Sequence, residues 1–179
     1  MSRLKNLQKS EAGPKSQQIM GELESKGMLL NIFRSMANSS AVLDSFLKFS
    51  GALSQGRLDG KTRHAIALVV GQANKCEYCL AAHTALGKQA GLDDTGVRDA
   101  RLGKSADRKI NGAVVLAKEL VAKQGRVSDA DLSNARAAGL DDGDIAEVVA
   151  NVGLNLFTNY FNHLNQTEVD LPKVPVDIR

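Results

Sequence analysis

Apolar residues recur along most of this chain at three- and four-residue spacing, the period of a helix with one face turned inward. No proline stands between Pro14 and Pro172, and no stretch shows the strict alternation of a half-buried strand. The pattern therefore predicts helices throughout, an all-α protein. Cap residues and glycines divide it. Residues 16–25 and 31–37 form two short predicted helices. Asn38, Ser39 and Ser40 offer a cap for a longer one reaching about Gln55, in which Val42, Leu43, Phe46, Leu47, Phe49 and Leu53 predict a wide buried stripe. After a turn at 56–60 come the most apolar helix, 61–73, a break at Asn74 and Lys75, and a helix over 76–89. Helices over 95–102, 107–123, 128–137 and 142–163 complete the set. Residues 1–15 read as a flexible tail and 16–179 as a single domain. The segment from Gln166, with Pro172 and Pro175, is expected to lie extended on the surface. Ala90-Gly91-Leu92-Asp93-Asp94 recurs at 138–142 as Ala-Gly-Leu-Asp-Asp, the punctuation of a helix–turn–helix joint.

Composition narrows the function without naming it. Hydrophobic residues are 43% of the 179 and charged ones 24%, enough for one well-filled core. The net charge of +3 is spread along the chain, with no basic stripe interleaved with aromatics, so nucleic acid is not an expected partner. No apolar run is long enough to cross a bilayer, and the first fifteen residues lack the apolar core of a secretion signal. A cytoplasmic location is expected. There are only two cysteines, three positions apart. In a reducing compartment such a pair serves redox chemistry or metal binding more often than it staples a fold.

The chemistry concentrates in Cys76-Glu77-Tyr78-Cys79-Leu80-Ala81-Ala82-His83. At roughly 100° per residue, Cys76, Cys79 and His83 fall within about 60° of arc on one helix face. The helix start lowers thiol pKa through its free N–H groups and its dipole. Cys79 and His83 stand at i and i+4, where an imidazole can take the thiol proton directly or through a water. Cys76 can then attack a sulfenic acid on Cys79 and leave a disulfide. Helix-dipole reasoning alone makes Cys76 the more acidic thiol. A zinc site remains a rival, with His64 or His163 as the only further histidine ligand, and two core cysteines beside a chance histidine is the plain alternative. His163 suits the negative end of the last helix, and Tyr78 points away from the cysteine face toward core or a subunit contact.

These residues resemble the alkyl hydroperoxidase AhpD-like family, within the carboxymuconolactone decarboxylase superfamily, and its peroxidase-related branch in particular. The resemblance is carried by Leu58-Asp59-Gly60-Lys61-Thr62-Arg63-His64-Ala65-Ile66-Ala67-Leu68 and the Cys-x2-Cys-x3-His run inside residues 58–90. Gly27 to Arg34 and Asn159 to Leu164 add to it. It implies an AhpD-like helical bundle assembled as a homohexamer or homotrimer, and thiol-dependent reduction of hydroperoxides without a cofactor. A dithiol or lipoyl-type compound would be the reductant. By the same resemblance Cys79 is the thiol that attacks peroxide, Cys76 the resolving thiol and His83 the base. A base one turn from Cys79 and two from Cys76 agrees with this, and burial is expected to follow the same order, Cys79 inside and Cys76 nearer the surface. The family's relay commonly has a Glu twelve residues before the first Cys, where this chain has His64. His64 is therefore a candidate relay residue, expected to approach His83 if the two helices fold back on each other. A carboxylate would stabilise a charged His83, whereas a second imidazole would not. The alternatives are a low-turnover redox-sensing or disulfide-exchange protein of the same fold, and a metal-binding module.

Overall fold

A computed structural model describes residues 2–178, and all regular structure among them is helical. The helices are α1 Pro14–Ser25, α2 Asn31–Met36, α3 Ser40–Ser54, α4 Gly60–Ala73, α5 Glu77–Gln89, α6 Asp94–Leu102, α7 Arg108–Ala122, α8 Asp129–Ala137 and α9 Asp142–Asn165, with a single 3-10 turn at Lys9–Glu11. Six of them begin on a side-chain oxygen that accepts from a free first-turn N–H: Ser39, Asp59, Asp93, Asp107, Ser128 and Asp141. Each such cap contributes about 1 kcal/mol and fixes where its helix starts.

Helix α4 is the axis of the molecule, packed against α5, α6, α7 and α9. From Ala65 to Gly71 every residue is buried, as the all-round apolar sequence requires. Two apolar clusters flank it. The larger joins α4, through Ile66, Leu68 and Val70, to Leu80, Val114, Leu116 and Val148. The smaller is built by the first three helices around Met20, Met36 and Leu43, and it includes Cys76, Tyr78 and Cys79. The start of α5 therefore sits where the N-terminal helices close over the central bundle.

Two expectations are corrected. Residues 2–15 are docked. Leu7 and Ala12 are buried, Arg3 N–H donates to the Asn165 carbonyl at 2.7 Å, and α1 already begins at Pro14. The apolar side chains Leu7 and Ala12 find room in the smaller cluster, which a reading by helical period in so short a segment does not register. The α3 stripe is only partly covered: Leu43 and Leu53 are buried, Val42, Phe46 and Leu47 half-buried, and Phe49 exposed. The final segment, expected extended on the surface, has no regular structure and runs as a strap. Val174 and Val176 pack on the larger cluster, Gln72 Nε2 donates to the Val176 carbonyl at 2.9 Å, and Arg101 holds the Pro175 and Val176 carbonyls. No helix among the described residues is long and apolar enough to cross a membrane.

Candidate functional site

The joint between α4 and α5 places the first cysteine. Lys75 N–H donates to the Gln72 carbonyl and Cys76 N–H to the Gly71 carbonyl, at 3.1 and 2.9 Å, with Lys75 in the left-handed region at φ 54°. This is a Schellman ending, usually made by glycine. Its last residue, Cys76, is at once the N-cap of α5, and the Cys76 sulfur accepts from Cys79 N–H at 3.3 Å. Two helix ends thus converge on one cysteine. The helix start offers a sulfur at Cys76 the free N–H and partial positive charge that favour a thiolate.

Cys76 and Cys79 are joined in a disulfide, with Cα atoms 5.3 Å apart. The expected difference in burial is absent within one chain, since Cys76 is 2% and Cys79 3% exposed. Packing of α1 to α3 over the α5 start covers both. The two sulfurs differ in what adjoins them. A cleft of about 300 Å³ reaches Cys76, walled by Tyr78, Asn162, His163, Thr167 and Val169. Cys79 lies behind it, and its sulfur accepts a hydrogen bond from Asn162 Nδ2 at 3.4 Å.

One turn further along α5, His83 meets His64 of α4, their Nδ1 atoms 3.2 Å apart. Gly87 permits this approach, for a Cβ there would stand 3.4 Å from the His64 Cβ and 3.0 Å from Leu92. In such a pair one ring donates and the other accepts, so His83 can serve as a base at Nε2 only in the tautomer that donates to His64. Burial, then the Arg63 charge, pushes His64 down to about 4. Burial, then His64 itself, pushes His83 down to about 3. Both rings are neutral at neutral pH. The pair lines a small cavity of about 80 Å³ together with Phe46, Arg63, Asn155 and Thr158.

The structure brings Cys76 to Cys79 and His64 to His83, and its direct contact on the Cys79 sulfur comes from a residue the sequence reading passed over. Asn162 is one of a row on α9, Asn151, Asn155, Asn159, Asn162 and Asn165, all buried. Their three- and four-residue spacing was visible in the sequence, and an Asn row at the period of an apolar face is the signal that could have found them. Three of this helix's side chains clamp the α4–α5 joint: Asn159 Oδ1 accepts from Asn74 Nδ2 at 3.0 Å, His163 Nε2 meets the Asn74 carbonyl at 2.9 Å, and Asn162 holds Cys79. His163 thus has a specific backbone partner. Tyr78 is buried, its hydroxyl donating to Asp170 at 2.8 Å, which ties α5 to the terminal strap and raises the phenol's pKa through burial first and the carboxylate second. Among the described residues no three His, Cys, Asp or Glu side chains are grouped to hold a metal ion.

Residues 40–122, which span α3 to α7 and hold both cysteines and both paired histidines, match the Carboxymuconolactone decarboxylase family. The fold matches a solved alkylhydroperoxidase AhpD core protein, an uncharacterized peroxidase-related protein from Ralstonia eutropha JMP134, with a TM-score of 0.85 at 20% identity, over 94% of this chain and 92% of that one. The fold is AhpD-like, and the match to the carboxymuconolactone decarboxylase family covers the stretch that holds the cysteines. A second neighbour, an uncharacterized peroxidase-related protein from Silicibacter sp. TM1040, has a TM-score of 0.77 at 24% identity, over 94% of each chain. The debrominase Bmp8, solved with 2,3,4-tribromopyrrole, is similar at a TM-score of 0.76 and 16% identity, over 92% of this chain and 89% of that one. The AhpD-like fold therefore hosts more than one activity. No curated protein matches the chain.

Proposed function

We propose that the protein is a thiol-dependent peroxidase that reduces hydroperoxides with Cys79 and Cys76. The observation that carries this reading is the Cys76–Cys79 disulfide at a helix start, enclosed by protein on the Cys79 side and adjoined by a cleft on the Cys76 side. In the reduced protein, the Cys79 thiolate attacks the distal oxygen of the hydroperoxide. A sulfur–oxygen bond forms, the oxygen–oxygen bond breaks, and the alkoxide leaves with a proton as an alcohol. The Cys76 thiolate then attacks the Cys79 sulfur. The disulfide forms and the hydroxyl departs as water. A dithiol entering the cleft reduces the Cys76 side and restores both thiols. Enclosure of Cys79 keeps its sulfenic acid from bulk thiols until Cys76 reaches it. His83 takes the thiol proton at Nε2 while donating to His64.

The cytoplasm, where thiols are kept reduced, suits this cycle. The partner expected beyond substrate and reductant is another copy of the chain. Phe49, Val149, Phe157, Tyr160 and Leu164 are exposed, and an apolar groove of about 410 Å³ runs between α3 and α9. A continuous apolar face of this kind on a protein with a filled core marks a protein contact. Homotrimer or homohexamer formation would bury it.

A low-turnover redox sensor of the same fold is the second reading. It is favoured by His83, held near 3 by burial and by His64, a weak base for a thiol near 8.5. Steady-state peroxide consumption with a dithiol reductant separates the two. The peroxidase reading predicts many turnovers per chain and loss of one peroxide for each disulfide formed. A single burst of one equivalent, with no further consumption under excess dithiol, would favour the sensor.

A further inference from the structure

We infer that Asn162 is a further catalytic residue: its side-chain N–H holds the Cys79 thiolate, and its carbonyl oxygen receives the O–H of the hydroperoxide attacked there. This rests on the peroxidase reading and deepens it. Asn162 is 5% exposed and its Nδ2 lies 3.4 Å from the Cys79 sulfur. A disulfide or thiolate sulfur accepts but does not donate, which fixes the amide with nitrogen toward sulfur. Asn162 Oδ1 is then left buried with no hydrogen-bond partner. A buried acceptor is rarely orphaned, and one beside a reactive sulfur calls for a donor that comes and goes. In the same row Asn159 also keeps one buried atom unpartnered, its Nδ2, while its Oδ1 accepts from Asn74; the other three differ. Asn151 and Asn155 give their N–H groups to carbonyls of their own helix, and Asn165 gives its N–H to the Ser35 and Thr167 hydroxyls. Asn162 alone in the row faces a sulfur.

The chemistry fits both halves of the amide. When the thiolate attacks, the distal peroxide oxygen keeps its hydrogen and becomes the sulfenic hydroxyl, while the electron pair of the broken oxygen–oxygen bond leaves on the alkoxide. One acceptor beside the sulfur can therefore hold the same O–H before and after the transfer. The donor half matters because the histidines supply no positive charge, being neutral at working pH. The other titratable groups at this end of the site are Lys75, Glu77 and His163 on the cleft wall and Asp170, which accepts from Tyr78. A charge-assisted N–H bond to the thiolate lowers its proton affinity without placing a cation in the apolar cluster.

The test uses the reduced full chain with Cys76→Ser, so that Cys79 is the only thiol. Iodoacetamide alkylation and hydrogen peroxide oxidation are each followed against pH, with and without Asn162→Ala. Loss of the donor should move the alkylation midpoint up by about one pH unit, a tenfold fall in thiolate at neutral pH. At a pH high enough to ionise both proteins, alkylation should become equal while peroxide oxidation of the Ala variant stays roughly tenfold or more slower, because the acceptor is gone. Asn162→Asp keeps an acceptor, removes the donor and adds a like charge. It should raise the midpoint further, and it serves if the Ala variant does not fold. An unchanged midpoint overturns the donor role. Equal recovery of alkylation and oxidation at high pH overturns the acceptor role, leaving a merely structural amide. If the reference protein oxidises no faster than a free thiol, the peroxidase reading and the acceptor role fall together. The alkylation midpoint still decides the donor role.

Discussion

Helices α4 and α9 both cross the middle of the molecule, and they are built in opposite senses. Along α4 the buried residues are Ala65, Ile66, Ala67, Leu68, Val69, Val70 and Gly71, and polarity lies toward its ends. Along α9 the buried set is largely polar, Asn151, Asn155, Thr158, Asn159, Asn162 and Asn165, while Val149, Phe157, Tyr160 and Leu164 are exposed. A protein maximising its own stability would not bury five asparagines and leave aromatic rings in water, since each unmet polar atom costs about 1–3 kcal/mol. The inversion shows two different duties. α4 supplies cohesion, and α9 turns a polar face to the cysteine joint and an apolar one outward, the face proposed to meet another copy of the chain. His64 is the departure within α4, the polar side chain it lends to the site.

Four measurements press on this contrast, from the largest effect downward. Leu68→Ala, at a site with 0% exposure, should cost about 2–5 kcal/mol in urea unfolding, the range for a cavity in a close-packed core. On α9, Tyr160→Glu with Leu164→Glu should split the assembly in light scattering while moving the unfolding free energy of the chain by only about 0.5 kcal/mol. An unaltered particle mass would remove the outward duty from α9. Acid should act through the histidine pair. Both rings take up protons later in the folded than in the unfolded state, so stability is full above the ordinary histidine range near 6.5 and falls as pH drops toward about 3. The slope of stability against pH in that window should flatten in His64→Asn. Smallest is His64→Glu, which places a carboxylate beside His83, raises its proton affinity and should quicken peroxide oxidation of Cys79 about tenfold at neutral pH. An unchanged rate would make His64 a packing residue.

How much of this was legible depended on whether the signal was local. Helix boundaries set by Asp59, Asp93, Asp107 and Asp141 came through to within a residue or two, because a cap is a contact between near neighbours. The Cys76, Cys79 and His83 run was legible for the same reason. So was the approach of His64, because α4 and α5 are joined by a three-residue turn that folds them back on each other. Asn162 was not, since 83 residues separate it from Cys79 and only the packing of α9 brings them together. The equal burial of the two sulfurs was also hidden, because α1 to α3 roll over the α5 start through contacts distant in sequence. The docked N-terminus failed on scale: one buried leucine in a polar segment makes no period, yet Leu7 and two hydrogen bonds to Asn165 hold it down.

The division of labour between the thiols is the claim on which the rest turns, and helix-dipole reasoning opposes it, because Cys76 has the N-cap position and the Cys79 N–H. The decisive measurement is mass spectrometry of the peptide containing residues 76–83 after one equivalent of hydrogen peroxide, on reduced Cys76→Ser and reduced Cys79→Ser proteins. Cys79 as the attacking thiol predicts one added oxygen on Cys79 in the first protein, trapped because its resolving partner is gone, and negligible oxidation of Cys76 in the second. Rapid oxidation of Cys76 in Cys79→Ser, with Cys79 left unmodified in Cys76→Ser, would reverse the roles and assign the peroxide to the thiol at the helix cap.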